Sequence, residues 1–384
     1  MQGPIHIASC VGGGPMERLA RRLAERGAPT EVVSKYSGDA WRNAMSQGTR
    51  GRLAARLHSF ISFPLSVVAR ARRDRPAALV PTTNPFVLPF IAVALRPLHR
   101  RPVVPLVYDL WPDALEAGGL ASEGGPMSRL GAAANRFWFS RADGVVFIGH
   151  RMARHAIARY GQPKRWTVIE TGADQGELCA DSAGPDTPES DLERWCDGRT
   201  VCAYVGNMGR MHDVATLRDA VPLLLADPAA ARLAIVIAAS GPGVDELKKA
   251  WLDLPKSQIR FEPPLDDRAW ARLLLRTAIA FVTLRDEASK TCIPSKAFSA
   301  LAAGEALCVI APEDSDLAEL VRLHRCGLHT PTGDPGALAA ALTALASDPE
   351  ALEDARAAAK TAARDHYDMI RLAERWQTFL EGAG

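Results

Sequence analysis

The sequence has no run of about 18 uncharged apolar residues, the length a membrane-spanning helix needs. The nearest approach, Thr82–Leu95, follows Pro81 and contains Pro85 and Pro89, so it reads as a loop and a short buried helix. The N-terminus lacks a charged region followed by a long apolar core, so no secretory leader is expected. The seven cysteines are odd in number and form no C-x-x-C pair. Buried free thiols in a reducing compartment are expected, not a disulfide frame. Aromatic residues make up 6% of the chain, and none are spaced as a stacking platform for nucleic-acid bases. Neither sign of charge dominates, and the net charge of +2 predicts no partner by itself.

What is present describes a globular protein. Of 384 residues, 47% are apolar and 23% charged, which excludes a disordered or fibrous chain. The length suits two domains of roughly 150–200 residues each.

Strand and helix patterns alternate along the chain. Ile5–Cys10 reads as a buried strand, Gly12-Gly13-Gly14 as a turn, Met16–Arg26 as a helix ended by Gly27, and Glu31–Ser34 as a second strand. Further strands are predicted at Ala77–Pro81, Val103–Tyr108, Gly144–Ile148 and Trp166–Ile169. Asp181–Asp197 is rich in Asp, Glu, Ser and Pro and reads as an interdomain linker. The pattern then restarts, with strands at Thr200–Val205, Leu233–Ala239, Ile259–Phe261, Ala278–Thr283 and Leu307–Ala311. Helices are predicted at 213–225, 243–251, 266–275, 295–303, 314–323 and 334–346, and the tail 349–381 is helical. This alternation predicts an α/β protein with two doubly wound parallel sheets in tandem.

Three glycine turns follow predicted strands. Gly12-Gly13-Gly14 precedes a helix, so Gly13 and Gly14 are candidate contacts to a phosphate or an acceptor oxygen; the alternative is a tight strand-to-helix turn. It is not G-x-G-x-x-G, and Glu31 begins the second strand, where a dinucleotide fold wants an acid at its end. Gly206-Asn207-Met208-Gly209-Arg210 combines turn amides with an arginine able to fork onto phosphate oxygens. Ser240-Gly241-Pro242-Gly243 is a second such turn in the same half. Turns at the carboxyl ends of parallel strands form the crevice where nucleotides bind.

Cys292–Gly304 carries the same logic. Pro294 stops a loop, Ser295 is the expected N-cap pointing three free amides outward, and Lys296 adds a cation at the positive end of the helix dipole. Gly304 ends the helix. The alternative is a capped helix with a solvent lysine.

The stretch Pro294-Ser295-Lys296…Ala302-Ala303-Gly304 resembles family-4 glycosyltransferases with the GT-B fold. Gly206-Asn207-Met208-Gly209-Arg210 is similar to that family's phosphate turn. Ala142–Val146 with Val168–Asp174 resembles the block that ends its first domain. Tyr108-Asp109-Leu110-Trp111-Pro112-Asp113 resembles a motif of a subgroup that builds bacterial surface polysaccharides. The match runs in order along nearly the whole chain.

The resemblance implies GT-B architecture, with two Rossmann-like domains facing a central cleft and C-terminal helices crossing back to the first. The expected partition is 1–180 for acceptor binding, 181–198 as linker, 199–364 for the nucleotide sugar, and 365–384 as the returning helix. It implies retaining transfer of a sugar from a nucleoside-diphosphate sugar, a UDP-sugar favoured, to a hydroxyl acceptor, with no essential metal or cofactor. Arg210 with Lys296 or Lys290 would neutralise the diphosphate. The nucleobase falls near Phe261–Leu265, which brings in Pro263 and Leu265. Asp109 would orient the acceptor hydroxyl, or else cap a following turn. His150 is a further candidate for the same cleft.

The chain departs from the family in two respects. The family's Glu-x7-Glu positions hold Thr291 and Ser299, leaving Ser299 one hydrogen bond to the ribose and Glu287 a possible substitute. His212 replaces a lysine two positions after Arg210. Two other readings share the fold: a nucleotide-sugar 2-epimerase, and a non-catalytic nucleotide-binding or partner protein.

Between Arg42 and Arg101 the chain holds Arg42, Arg50, Arg52, Arg56, Arg70, Arg72, Arg73, Arg75, Arg96, Arg100 and Arg101 against one acid, Asp74. Leu53, Leu57, Phe60, Ile61, Phe63, Leu65 and Val67 lie among them. This reads either as a surface for an anionic membrane or as a solvated arginine face. The first makes the acceptor a lipid-linked sugar, the second a small natural product. The expected location is the cytoplasm, with peripheral contact with the inner face of the cell membrane under the first reading.

Overall fold

The structure is a computed structural model, and it describes residues 3–38, 40, 41, 44, 53, 55–174, 176, 178 and 190–382. Arg42, Arg50, Arg52, Cys179 and positions 181–189 of the expected linker lie outside the described residues. The chain forms two compact units, Met1–Thr171 with Met369–Gly384, and Gly172–Asp368.

The first unit is built on β1 (Ile5–Ala8), β2 (Thr30–Val33), β3 (Ala78–Pro81), β4 (Leu106–Val107), β5 (Val145–Phe147) and β6 (Trp166–Val168). All pairings are parallel, in the order β2-β1-β3 and β4-β5-β6, and single bridges Leu79–Val103 and Thr82–Leu106 join the two groups. β4 is shorter than the predicted Val103–Tyr108, because Pro102 and Pro105 carry no N–H for the ladder. The chain leaves β1 toward β2 on one side, and β3 lies on the other, so the turn after β1 sits at the switch point.

That turn opens α1 (Pro15–Glu25), whose Leu19, Ala20 and Leu23 are buried. The α2 helix (Phe63–Asp74) follows a π-helical turn at His58–Ser62, and α3 (Leu88–Ala94) and α4 (Arg96–His99) follow β3. After β4 come α5 (Asp113–Ala117) and α6 (Pro126–Phe139), and α7 (His150–Tyr160) follows β5. The C-terminal helix Met369–Glu381 packs on α1, where Arg26 pairs with Glu374 at 2.9 Å. A Cβ on Gly144 would fall 2.9 Å from the Phe379 ring, so this contact needs glycine.

In the second unit, α8 (Asp191–Cys196) lies inside the expected linker Asp181–Asp197. Its polar residues are those of a capping box: the Ser190 hydroxyl accepts from the Glu193 amide, and the Glu193 carboxylate accepts from the Ser190 amide. Leu192 and Cys196 are buried, so this half of the stretch is a packed helix and not a connector.

The sheet contains β7 (Thr200–Asn207), β8 (Leu233–Ser240), β9 (Ile259–Glu262), β10 (Ile279–Thr283), β11 (Ala306–Ile310) and β12 (Gly327–Thr330) in the order β12-β11-β10-β7-β8-β9, all parallel. β12 carries no apolar run, only Gly-Leu-His-Thr at a half-buried edge, and the sequence pattern gives no sign of it. One face of β7 packs Cys202 and Tyr204 under α9 (Val214–Ala226) and α10 (Pro242–Ala250). The other packs Val201 and Ala203 against α8 and α11 (Asp267–Arg276). The α12 helix (Lys296–Ala303), α13 (Asp316–His324), α14 (Pro335–Ser347) and α15 (Pro349–Ala362) complete the layers. A π-helical turn at Ala363–Tyr367 extends α15, so the chain returns to the first unit at Met369 and not at 365. Strand order reverses between β7 and β10, which makes their carboxyl ends the switch point of this unit.

Candidate functional site

At that switch point β7 ends in a turn that only glycine permits. Gly206 has φ +102° and Gly241, at the end of β8, has φ +113°. A Cβ on Gly241 would lie 2.7 Å from the Met208 carbonyl oxygen and 2.9 Å from Asn207 Oδ1. The turns are tied together. The Met208 amide donates to the Ser240 carbonyl at 2.7 Å, and the Gly243 amide donates to the Met208 carbonyl at 3.1 Å. Met208 is buried and anchors the loop, while Arg210 beyond it is exposed.

The α12 helix brings Lys296 to the same place. Its ammonium donates to the Asn207 carbonyl at 3.2 Å and lies 3.5 Å from the centre of the Tyr204 ring. The residue is half-buried, and the protein around its ammonium holds its pKa well below the ordinary lysine value by desolvation. Tyr204 is itself buried, and its hydroxyl donates to the Asn207 carbonyl at 2.9 Å.

His212 completes the cluster. Its Nδ1 lies 2.8 Å from the Thr283 carbonyl at the end of β10, and its ring stands edge-on to Tyr204 at 5.9 Å. A carbonyl only accepts, so Nδ1 carries the hydrogen, and in the neutral ring Nε2 is an acceptor. Burial first, then the nearby Lys296 charge, push its pKa down to about 4. The ring is therefore neutral at pH 7. Neither Arg210 nor Lys296 is ion-paired among the described residues, which suits both to an incoming anion.

Some expectations at α12 are corrected. Ser295 is not a side-chain cap: it has helical φ −61° and ψ −20°, and its hydroxyl accepts no capping bond. The Ala297 amide donates to Pro294 at 3.2 Å and the Phe298 amide to Ser295 at 3.1 Å, so two of the three amides expected to be free close the first turn. Gly304, with φ +76°, ends the helix in a Schellman arrangement, the Glu305 amide reaching the Ala300 carbonyl at 3.0 Å. Pro294 is half-buried before the helix.

At the two family glutamate positions, Thr291 is fully buried with its hydroxyl bonded to the Ala288 carbonyl at 2.9 Å, and Ser299 is half-buried. Glu287 is exposed and lies 3.6 Å from Arg285, and Lys290 is exposed. Pro263 is exposed after β9, whereas the half-buried Leu265 side chain packs against the core cluster of Leu192, Val201, Ala203 and Leu273.

The remaining candidates belong to the first unit. Gly14 (φ +55°) precedes α1 with Gly13 (φ +117°), and a Cβ on either would meet nothing within 4 Å. Asp109 follows β4, and the Thr83 hydroxyl accepts both the Tyr108 amide at 3.1 Å and the Asp109 amide at 3.2 Å. The Asp109 carboxyl reaches solvent yet is crowded by protein, and desolvation pushes its pKa up to about 6. Asp113, four residues on, is buried in an ionic network with Arg159 at 2.7 Å, His155 at 2.6 Å and the Tyr160 hydroxyl. This anchors the segment that carries Asp109. His150 is exposed at the first position of α7.

Tyr204, Thr283 and Thr83 are the residues sequence reasoning missed. Tyr204 and Thr283 occupy ordinary core positions of strands, and Thr83 is 26 residues from Asp109. No local pattern marks such partners.

Residues 16–177 match the family described as Glycosyltransferase Family 4, and residues 199–348 match Glycosyl transferases group 1. A protein described as probable glycosyltransferase WbjE of Pseudomonas aeruginosa is 26% identical over 282 residues, covering 73% of this chain and 68% of that one. The crystal structure of Anabaena HepE in complex with UDP and glucose superposes with a TM-score of 0.73 at 16% identity, over 99% of this chain and 100% of that one. Sucrose-phosphate synthase from Thermosynechococcus elongatus gives 0.72 at 14% identity, over 99% and 98%.

Proposed function

Because this chain is a family-4-like glycosyltransferase with the GT-B fold, we propose that it transfers a sugar from a nucleoside-diphosphate sugar, with UDP the favoured nucleotide, to a hydroxyl acceptor with retention of configuration. The observation that carries this reading is the meeting of Lys296 with the Asn207 turn at the β7–β10 switch point, a turn that ends in Arg210, which has no ion pair among the described residues. The UDP bound to HepE supports the choice of nucleotide.

In this reading the β7 and β8 turns and the start of α12 receive the diphosphate. Cleavage of the sugar–phosphate bond leaves negative charge on the diphosphate, and Arg210 and Lys296 stabilise it where it develops. Their charge fills the role a divalent cation would otherwise take, so the reaction is proposed to be metal-independent. Bound diphosphate restores the charge of Lys296, because an adjacent anion favours the ammonium. Neutral His212 contributes a hydrogen-bonding nitrogen and no charge. Ser299 gives the ribose one hydrogen bond where the family gives a carboxylate. Asp109 accepts the hydrogen bond of the attacking hydroxyl. Gly13 and Gly14 line the acceptor side, and the acceptor is a lipid-linked sugar presented at an anionic membrane.

The test is donor hydrolysis. The full chain is incubated with UDP-, GDP- and dTDP-sugars, and free nucleoside diphosphate is measured. UDP is expected to be released and to fall sharply in Arg210→Ala. Release from no donor, with or without added divalent cation, overturns the reading.

A further inference from the structure

Leu57, Ile61 and Leu65 recur every fourth residue through the π-helical turn His58–Ser62 into α2, and they are 52%, 55% and 50% exposed. Leu53, one turn earlier, is exposed as well. The opposite side of α2, with Phe63, Val67, Val68 and Ala71, is buried in the first unit. The exposed row continues through Ala69 to Arg72. There Arg72 and Arg75 meet Leu98, His99, Arg100 and Arg101 around an open cavity of about 550 Å³.

This cavity is electrically distinctive. Arg70 is paired with Glu31 and Asp74, Arg73 with Asp74, and Arg96 with Asp143. Arg72, Arg75, Arg100 and Arg101 have no acidic partner among the described residues, and Asp74 is the one acid between 55 and 101. Exposed aliphatic side chains favour removal from water, and clustered guanidiniums favour anions. One environment answers both. A second copy of the same face would repel it, and a nucleic acid would give the aliphatic row nothing to enter.

We propose that this face of the first unit docks on an anionic phospholipid bilayer, the Leu57–Ile61–Leu65 row entering the acyl boundary and the arginine cavity taking headgroup phosphates. The inference deepens the proposed membrane-presented acceptor and rests on it. An aromatic chain links the face to the acceptor side: Phe60 lies 5.1 Å from Phe86, which stacks on Trp111 at 5.2 Å, two residues from Asp109. Docking therefore sets the Asp109 segment beside the surface from which a lipid-linked hydroxyl arrives.

Flotation of the full chain with vesicles tests it. Vesicles of phosphatidylglycerol and phosphatidylcholine are compared with phosphatidylcholine alone, and the UDP-induced thermal shift is read on the same samples. The wild type is expected to float with the anionic vesicles and to be released by salt. Leu57→Ser/Ile61→Ser/Leu65→Ser should lose flotation. Arg72→Gln/Arg100→Asn/Arg101→Gln should lose about a hundredfold in partitioning, since each arginine near such a surface contributes on the order of fivefold. Asn is used at 100 because that residue has φ +54°.

Equal flotation with both vesicle types, no flotation, or two variants that float like the wild type overturns the proposal. So does binding to duplex DNA without flotation. Should a variant unfold, the wild-type comparison across vesicles and salt decides alone. No flotation of the wild type with an intact UDP shift overturns the docking and spares the donor reading; a missing UDP shift with intact wild-type flotation does the reverse.

Discussion

The Lys296 ammonium is seated over the Tyr204 ring, 3.5 Å from its centre, and donates to the Asn207 carbonyl at 3.2 Å. The Lys296 side chain is thereby seated on the Asn207 turn at the β7–β10 switch point. Such seating contributes roughly 1–2 kcal/mol when the cation is desolvated, and it limits the reorganisation needed when charge develops in the transition state.

Replacing Lys296 by methionine keeps the stem and removes the charge. We expect turnover of the nucleotide sugar to fall about 100-fold or more. Unfolding stability should fall by no more than about 2 kcal/mol, because the lost cation–π seat is partly offset by relief of the ammonium's desolvation. Steady-state rates and thermal melts on Lys296→Met check both. Unchanged turnover would remove Lys296 from the catalytic machinery.

His212 makes stability pH-dependent in a defined direction. Its folded pKa of about 4 lies below the ordinary 6.5, so the unfolded chain holds the extra proton between these values. The stability it contributes is complete above about pH 6.5 and is lost as pH falls toward 4, by at most about 3 kcal/mol. Melts from pH 7 to 4.5 should show this fall, and His212→Gln should flatten it. An unaltered slope in the variant contradicts the assignment.

Under the proposed role, Asp109 is expected to govern the acid limb of activity. With a pKa of about 6, it is mostly ionised at pH 7 and loses its acceptor role below pH 6. The kcat/KM profile is expected to decline below that value. Asp109→Asn should lower activity by about 10²–10⁴-fold and abolish the limb. A profile of the same shape in the variant would assign the limb to another group.

Much of this was legible in the sequence. The β7 and β8 turns were legible because glycine at a strand end, followed by a helix, leaves a local signature. The α12 helix and Gly304 were legible for the same reason. Ser295 misled because its preference for caps is statistical, whereas Pro294 before it already supplies the carbonyl that closes the first turn. The Asp191–Cys196 helix was hidden because a capping box has the composition of a linker. The seat of Lys296 was hidden because Tyr204 lies 92 positions earlier in a core strand, and partners at such range leave no pattern. Thr83 and Asp109 are the same case.

Asp113 illustrates a motif residue whose work is structural. It is 3% exposed and shares Arg159 with Glu116. Arg159→Ala leaves two carboxylates without their cation and is expected to destabilise the first unit by about 3–5 kcal/mol. Denaturant unfolding measures this. A loss under about 1 kcal/mol would mean that His155 and Tyr160 alone satisfy Asp113.

The most direct test of the central claim is a thermal-shift panel of UDP, GDP and dTDP on the wild type and Lys296→Met. The account predicts that UDP raises the melting temperature most and that the shift shrinks in the variant. No shift with any nucleoside diphosphate, or a UDP shift indifferent to Lys296, would contradict it.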